Sequence, residues 1–239
     1  MEQDFFPGNL VVEIGRFFLG APYKADTLEA PDKEKLIANL SVFDCTTFVE
    51  TVLALTGCAL HGKITQTKFR KTLKFLRYRQ GTISGYSSRL HYFTDWLRDC
   101  EKKKILQDIS RQFDAEAQRK KINYLTAHRT SYPALKNEDE FKKMLLVEQN
   151  ISRKIFHVIS KDKVGAQRAN IKNGDIIAFP TDQKGLDVAH TGFAYWQDKN
   201  LHLLHASSKE GGVVISKKPL TAYLKNNKKY SGIIVVRPL

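Results

Sequence analysis

Val188-Ala-His-Thr-Gly-Phe-Ala-Tyr-Trp196 alternates its side chains with the period of a β-strand, and further runs of this kind follow Gly174. They are Asp175-Ile-Ile-Ala-Phe-Pro180, Leu201-His-Leu-Leu-His-Ala206, Gly212-Val-Val-Ile-Ser216 and Ser231-Gly-Ile-Ile-Val-Val-Arg237, with turn residues such as Asp198-Lys199-Asn200 between them. Short strands joined by tight turns pair most economically as an antiparallel meander. Upstream the apolar period becomes helical. Residues 9–19 carry Leu10, Ile14, Phe17 and Phe18 on one face and stop at Gly20-Ala21-Pro22. Residues 44–55 form the most apolar helix candidate, closed by Gly57, and residues 89–102 and 137–155 also predict helices. Residues 111–135 mix polar and aromatic side chains with Pro133 and predict neither. Helices first and strands later predict an α+β fold, with helices packed on one antiparallel sheet. Without an internal repeat or a Pro/Gly/Ser linker, the 239 residues predict one domain.

The composition narrows the function. With 42% hydrophobic residues the chain can bury a core, yet no apolar run approaches the length of a membrane span. The net charge of +14 favours an anionic partner. Its densest source, residues 68–79, interleaves Phe69, Leu73, Phe75, Leu76 and Tyr78 at helical spacing, which predicts an amphipathic helix with a solvated cationic face. No finger, basic zipper or RNA-recognition signature accompanies it, so no nucleic-acid partner is expected. Cys45, Cys58 and Cys100 cannot all pair within one chain, so at least one thiol is free. No Cys-x-x-Cys spacing suggests a metal, and Cys58 and Cys100 are expected as small buried apolar residues.

Phe43-Asp-Cys-Thr-Thr-Phe-Val-Glu50 places Cys45 directly after an aspartate able to cap a helix. Unpaired N–H groups and the positive helix end there would lower the thiol pKa and could bind an oxyanion. The bland alternative is a small residue tolerated at a buried helix start. Hydrolysis by a thiol needs a base, and imidazole suits the task. His190 lies on an apolar strand, with Gly192 and Ala194 on the same face, small enough to let the Cys45 helix approach. On the next strand His205 shares a face with Leu203 and can sit beside His190, fixing its tautomer; His202 should point away. The alternative for two histidines on adjacent strands is a hydrogen-bonded structural pair. Glu50, in an otherwise apolar helix, needs a buried partner, expected to be Arg89.

These motifs carry a resemblance. Asp-Cys at a helix start, His190-Thr-Gly on one strand and His205-Ala-Ser on the next resemble the NlpC-type, papain-like cell-wall cysteine hydrolases. Thr27-Leu-Glu29, the eight residues 43–50 and Arg89-Leu-His-Tyr-Phe-Thr-Asp-Trp96 are similar to one branch of them. That branch, once a domain of unknown function, is now regarded as N-acetylmuramoyl-L-alanine amidases. The resemblance implies Cys45 as nucleophile, His190 as base and acid, His205 as orienting residue, and Tyr23 of Gly20-Ala-Pro-Tyr23 as support for the oxyanion or thiolate. It implies a substrate as well: the amide between N-acetylmuramic acid, in intact or anhydro form, and L-alanine. A helical insertion at about residues 60–160 is expected to build the sugar pocket. Tyr86, Ser87, Arg89 and His91, with Asp44 and Glu50, are the candidates for substrate contact.

No metal or organic cofactor is expected, and the partners are muropeptides bound by a monomer. A stem-peptide endopeptidase with the same catalytic residues, an acyltransferase, and a basic glycan- or nucleic-acid-binding module with a structural Cys45 remain open. The first nine residues lack the features of a secretory signal. With peptidoglycan as substrate, a periplasmic or exported protein whose signal was removed is expected, the alternative being a cytoplasmic one.

Overall fold

A computed structural model describes residues 7–29 and 33–239. The signal-peptide reading of the N-terminus falls mostly on residues 1–6, outside the described residues. Helices α1 (Gly8–Phe17), α2 (Cys45–Leu60), α3 (Gln66–Arg77) and α4 (Phe93–Lys102) precede the short strands β1 (Leu106–Asp108) and β2 (Glu116–Gln118). There follow α5 (Tyr124–Ala127), α6 (Glu138–Ser152), β3 (Phe156–Ser160) and α7 (Lys161–Gln167). The C-terminal part runs β4 (Ile176–Pro180), β5 (Val188–Gln197), β6 (Asn200–Ser207), β7 (Gly212–Ile215), α8 (Leu220–Lys225) and β8 (Gly232–Pro238). The strands make one mixed-order sheet, β2-β3-β8-β4-β5-β6-β7, with β1 also on β8, and each pairing is antiparallel.

The α+β architecture agrees with the expectation; the sheet order corrects it. β4 to β7 are a meander, but β8 pairs with β4, Ile176 opposite Val236, and does not continue from β7. The outer edge of β7 is already used. Gly20 N–H donates to Val213 O at 2.9 Å and Val213 N–H to Ala21 O at 2.8 Å, so the chain after α1 satisfies that edge. β1, β2 and β3 were not expected. The first two have three residues each, too few to show a period, and β3 starts where the 137–155 helix was expected to be ending. The 60–160 region is therefore not wholly helical, since it adds β1, β2 and β3 to the sheet.

Helix boundaries moved where burial outweighs propensity. α2 runs through Gly57 to Leu60 because Cys58 packs in the core, which offsets a glycine cost of about 1 kcal/mol. α4 starts at Phe93, not at residue 89. α3 has the expected amphipathic form, with Phe69, Leu73 and Leu76 buried and Lys68, Arg70, Lys71 and Lys74 exposed, but Phe75 is exposed beside the cations and the helix ends at Arg77, before the buried Tyr78.

Two cores flank the sheet. Phe48 of α2 meets Phe193 of β5 edge to face at 5.8 Å, in a cluster with Val52, Leu204 and Ala206. The opposite face buries Ile177, Phe179, Ala194, Leu203 and Val235 under Val164 of α7 and Leu220 and Leu224 of α8. Thus α2 lies on the face of Phe193, not on that of Gly192 and Ala194, contrary to expectation. A third cluster, with Tyr86, Tyr92, Leu135 and Met144, is the separate core of the intervening segment. Cys58 and Cys100 are free and buried. Among the described residues no helix is long and apolar enough to cross a membrane.

Candidate active site

Local chemistry fixes the start of α2. Asp44 Oδ1 accepts the Thr47 N–H at 2.7 Å, and Thr47 Oγ1 accepts the Asp44 N–H at 2.9 Å, a reciprocal capping box. Asp44 is thus occupied as a cap. Behind it the buried Phe43 ring lies 5.0 Å from Phe18 and 6.0 Å from Phe48, both edge to face. Tyr23 pairs with Phe43 in a parallel bridge, which brings its phenol near Cys45. Burial, then the Cys45 and Asp44 charges, push that phenol up to about 12.

Cys45 and His190, 145 positions apart in sequence, line one cavity of about 110 Å³ together with Thr46, Glu50, His91 and Trp96. His190 Nε2 lies 2.6 Å from His205 Nδ1. The cross-strand geometry explains the contact. Phe193 pairs with Leu204, so Gly192 falls opposite His205 and His190 sits diagonally across from it. A Cβ on Gly192 would lie 2.7 Å from His205 Cβ, so the small residue admits His205, not α2. Facing β5, Phe179 pairs with His190 but Pro180 pairs with Val188, an irregularity of the kind that re-aims a side chain. Phe179 stacks on His190 at 5.7 Å, and Tyr223 meets His205 edge-on at 5.6 Å. His205 is buried, and its Nε2 has no hydrogen-bond partner. His202 points away, to Ser216 O at 2.7 Å.

The proton states correct an expectation. Burial, then the Asp44 charge, push the Cys45 thiol up to about 11, while hydrogen bonds from Thr191, Thr46 and its own amide oppose them. Burial and His205 lower His190 to about 3, and burial lowers His205 to about 4. Near neutrality the site therefore holds a thiol and two neutral imidazoles. The helix start does not leave a standing thiolate, because desolvation exceeds what a few N–H groups return and the capping carboxylate repels the charge.

The substrate-contact candidates divide. His91 lines the Cys45 cavity, its Nε2 2.9 Å from Tyr86 O and its ring 4.3 Å from the Tyr86 ring. Burial and Arg89 hold the His91 pKa well below its ordinary value. Arg89 is buried behind it, bound to Glu29 at 2.7 Å and Glu34 at 3.5 Å, with its guanidinium 4.9 Å from the Tyr86 ring centroid. The Tyr86 hydroxyl donates to Glu29 at 3.4 Å, and the Ser87 N–H donates to Glu140 at 2.8 Å. Tyr86, with Arg89 against its ring, thus holds His91, while Ser87 is tied to Glu140. Glu50 is buried as expected, but its partner is Arg77, whose Nε lies 2.7 Å away, and not Arg89. Arg77 also donates to Ile37 O.

Residues in and around the site had gone unassigned, Phe93, Trp96 and Asp187 among them. Trp96 lines the cavity, and an aromatic near an amphipathic helix start was its available signal. Asp187, one residue before β5, is 1% exposed and accepts from Thr94 N–H and Thr94 Oγ1 at the start of α4, at 2.8 Å each. Its other oxygen accepts Val188 N–H at 2.8 Å. No local signal marks it, since its partner lies 93 positions away.

The fold that carries this arrangement is shared, over most of the chain, with proteins of known structure. The model of a family described as AmiA-like, N-acetylmuramoyl-L-alanine amidase-like, matches residues 13–233. A crystal structure named as an N-acetylmuramoyl-L-alanine amidase of Bacteroides uniformis is 42% identical, with a TM-score of 0.92 over 98% of this chain and 99% of that one. A Bacteroides fragilis structure provisionally named a xylanase is 42% identical, with a TM-score of 0.89 over 94% and 99% of the two chains. A Legionella pneumophila protein of the DUF1460 family is 23% identical and shares the fold, with a TM-score of 0.75 over 98% and 90%. No curated protein matches the chain. The extent of the family match, with two structures above 40% identity over nearly the whole length, places this chain in the AmiA-like, N-acetylmuramoyl-L-alanine amidase-like family.

Proposed function

We propose that this protein is a cysteine amidase of peptidoglycan fragments, cleaving the amide between the lactyl group of N-acetylmuramic acid and L-alanine of the stem peptide. The observation that carries the reading is Cys45 at a capped helix start, in one cavity with a His190 that is 2.6 Å from His205. The family description and the amidase name of the Bacteroides uniformis relative supply the bond class.

In this reading His190 carries its proton on Nε2 and donates it to His205 Nδ1, which leaves His190 Nδ1 free to act as the base. Because the resting pair is neutral, proton transfer accompanies attack. Cys45 Sγ bonds to the lactyl carbonyl carbon as His190 takes the thiol proton. The oxyanion is stabilised by the unpaired N–H groups of the first α2 turn, with Tyr23 beside them. His190 then protonates the departing alanine nitrogen, the C–N bond breaks and a thioester remains. Water attacks the thioester with His190 as base, releasing the muramic acid carboxylate and restoring the thiol. The cavity's aromatic wall, Phe93 and Trp96, suits the apolar face of a sugar ring. Because peptidoglycan lies outside the inner membrane, a periplasmic or exported enzyme is proposed, the alternative being a cytoplasmic enzyme acting on recycled fragments.

The test is digestion of defined muropeptides, with and without the N-acetylmuramic acid unit, followed by mass analysis. Release of intact stem peptide beginning with L-alanine is expected, and a Cys45→Ala variant should fold and release none. Cleavage inside the stem peptide would favour an endopeptidase, and activity retained in Cys45→Ala would end the proposal.

A further inference from the structure

A second cavity, of about 710 Å³, also reaches His190 and opens among Ser207, Lys209, Lys217, Lys218, Asn226 and Tyr230. His190 is shared by the two cavities, whereas Cys45 lines the first and not the second. The two differ in chemistry. The first holds Phe93, Trp96 and Leu90; the second holds Lys209, Lys217 and Lys218 against the single carboxylate of Glu210. Lys217 meets Glu210 at 3.7 Å with its side chain 85% exposed, a pair open to exchange for another anion.

The division follows from the roles of the groups. In attack of a thiol on an amide, the acyl half of the substrate lies on the nucleophile's side. The amine half lies on the side from which the base returns the proton. We infer that the lysine-lined cavity is the leaving-group subsite and takes an acidic peptide, recognised by Lys209, Lys217 and Lys218 through its free carboxylates. The inference rests on the proposed amidase reading and adds to it the location and charge preference of the peptide half. The surplus of cations over the chain, +14, draws such an anionic stem toward the groove before contact.

Two measurements separate this subsite from the reaction. The first compares turnover of N-acetylmuramoyl tripeptide with free carboxylates against the same tripeptide amidated, by wild type and by Lys217→Ala/Lys218→Ala. Wild type should show a KM about 3- to 10-fold lower for the charged stem, a preference that falls at high salt and is lost in the double variant. Equal KM for both stems, or a preference the variant keeps, would overturn the subsite while leaving the amidase intact. The second measures calorimetric binding of the free charged tripeptide to Cys45→Ala protein, which needs no turnover. Binding weakened by the two lysine substitutions supports the subsite even if the scissile bond proves to be another. Binding indifferent to them overturns it.

Discussion

The carboxylate of Asp187 caps helix α4 from across the fold, accepting both the amide and the hydroxyl of Thr94 at 2.8 Å while its second oxygen holds the Val188 amide. One buried side chain thereby ties the strand leading to His190 to the helix that carries Trp96. Asn at 187 cannot reproduce this, because its amide nitrogen would face a donor. Asp187→Asn should cost about 1–3 kcal/mol and raise KM through displacement of the α4 wall. Denaturant midpoints and Michaelis kinetics check both, and an unchanged midpoint with unchanged KM would refute the coupling.

The thiol raised to about 11 sets how Cys45 responds to pH. Its thiolate fraction should grow about tenfold per pH unit from 6 to 10, and alkylation by iodoacetamide should follow without a plateau near neutrality. Mass spectrometry of Cys45 at timed intervals reads this directly. A plateau already reached below pH 7 would instead indicate a standing thiolate–imidazolium pair.

The buried histidines make the fold acid-sensitive. His190 and His205 titrate near 3 and 4 when folded but near their ordinary 6.5 when unfolded. Between those values the unfolded chain binds more protons, so stability rises with pH and is lost as pH falls from about 6.5. His190→Gln should flatten the fall in melting temperature between pH 6.5 and 4 relative to wild type. An unaltered slope would mean that neither ring is held neutral by the fold.

Gly192 is the position on which the histidine pair depends. A methyl there meets His205 Cβ at 2.7 Å and Leu204 O at 2.8 Å, neither of which can yield without moving β6. Gly192→Ala should destabilise by about 1–3 kcal/mol and reduce kcat by an order of magnitude or more as His205 leaves His190. Loss of stability with full kcat would show that His205 does not orient the base.

Glu50 and Arg77 are a buried ion pair, 1% and 2% exposed. Arg77→Met alone strands the carboxylate and should cost about 3–5 kcal/mol, whereas Glu50→Leu together with Arg77→Met should recover most of it. Urea unfolding of the three variants gives the comparison. A double variant as unstable as the single one would show that the pair does more than cancel its own charges.

The sequence by itself determined what depends on neighbours a few positions apart. Asp44 and Thr47 are three residues from each other, so the capping box that starts α2 and places Cys45 in its first turn is a local matter. The alternation in residues 188–196 and 201–206 likewise sets which side chains share a face, enough to bring His205 to His190. Tertiary structure decided what depends on distant partners. Glu50 declared its need for a cation but not which one, because Arg77 and Arg89 both lie within reach of a folded chain. Asp187 carries no local mark, since nothing near it in the chain announces Thr94. The edge on which β8 pairs was settled by residues 20–23 occupying β7. The protonation of Cys45 was decided there too. A helix start favours the thiolate by its local dipole, but the balance went to burial, a property of the whole packed site.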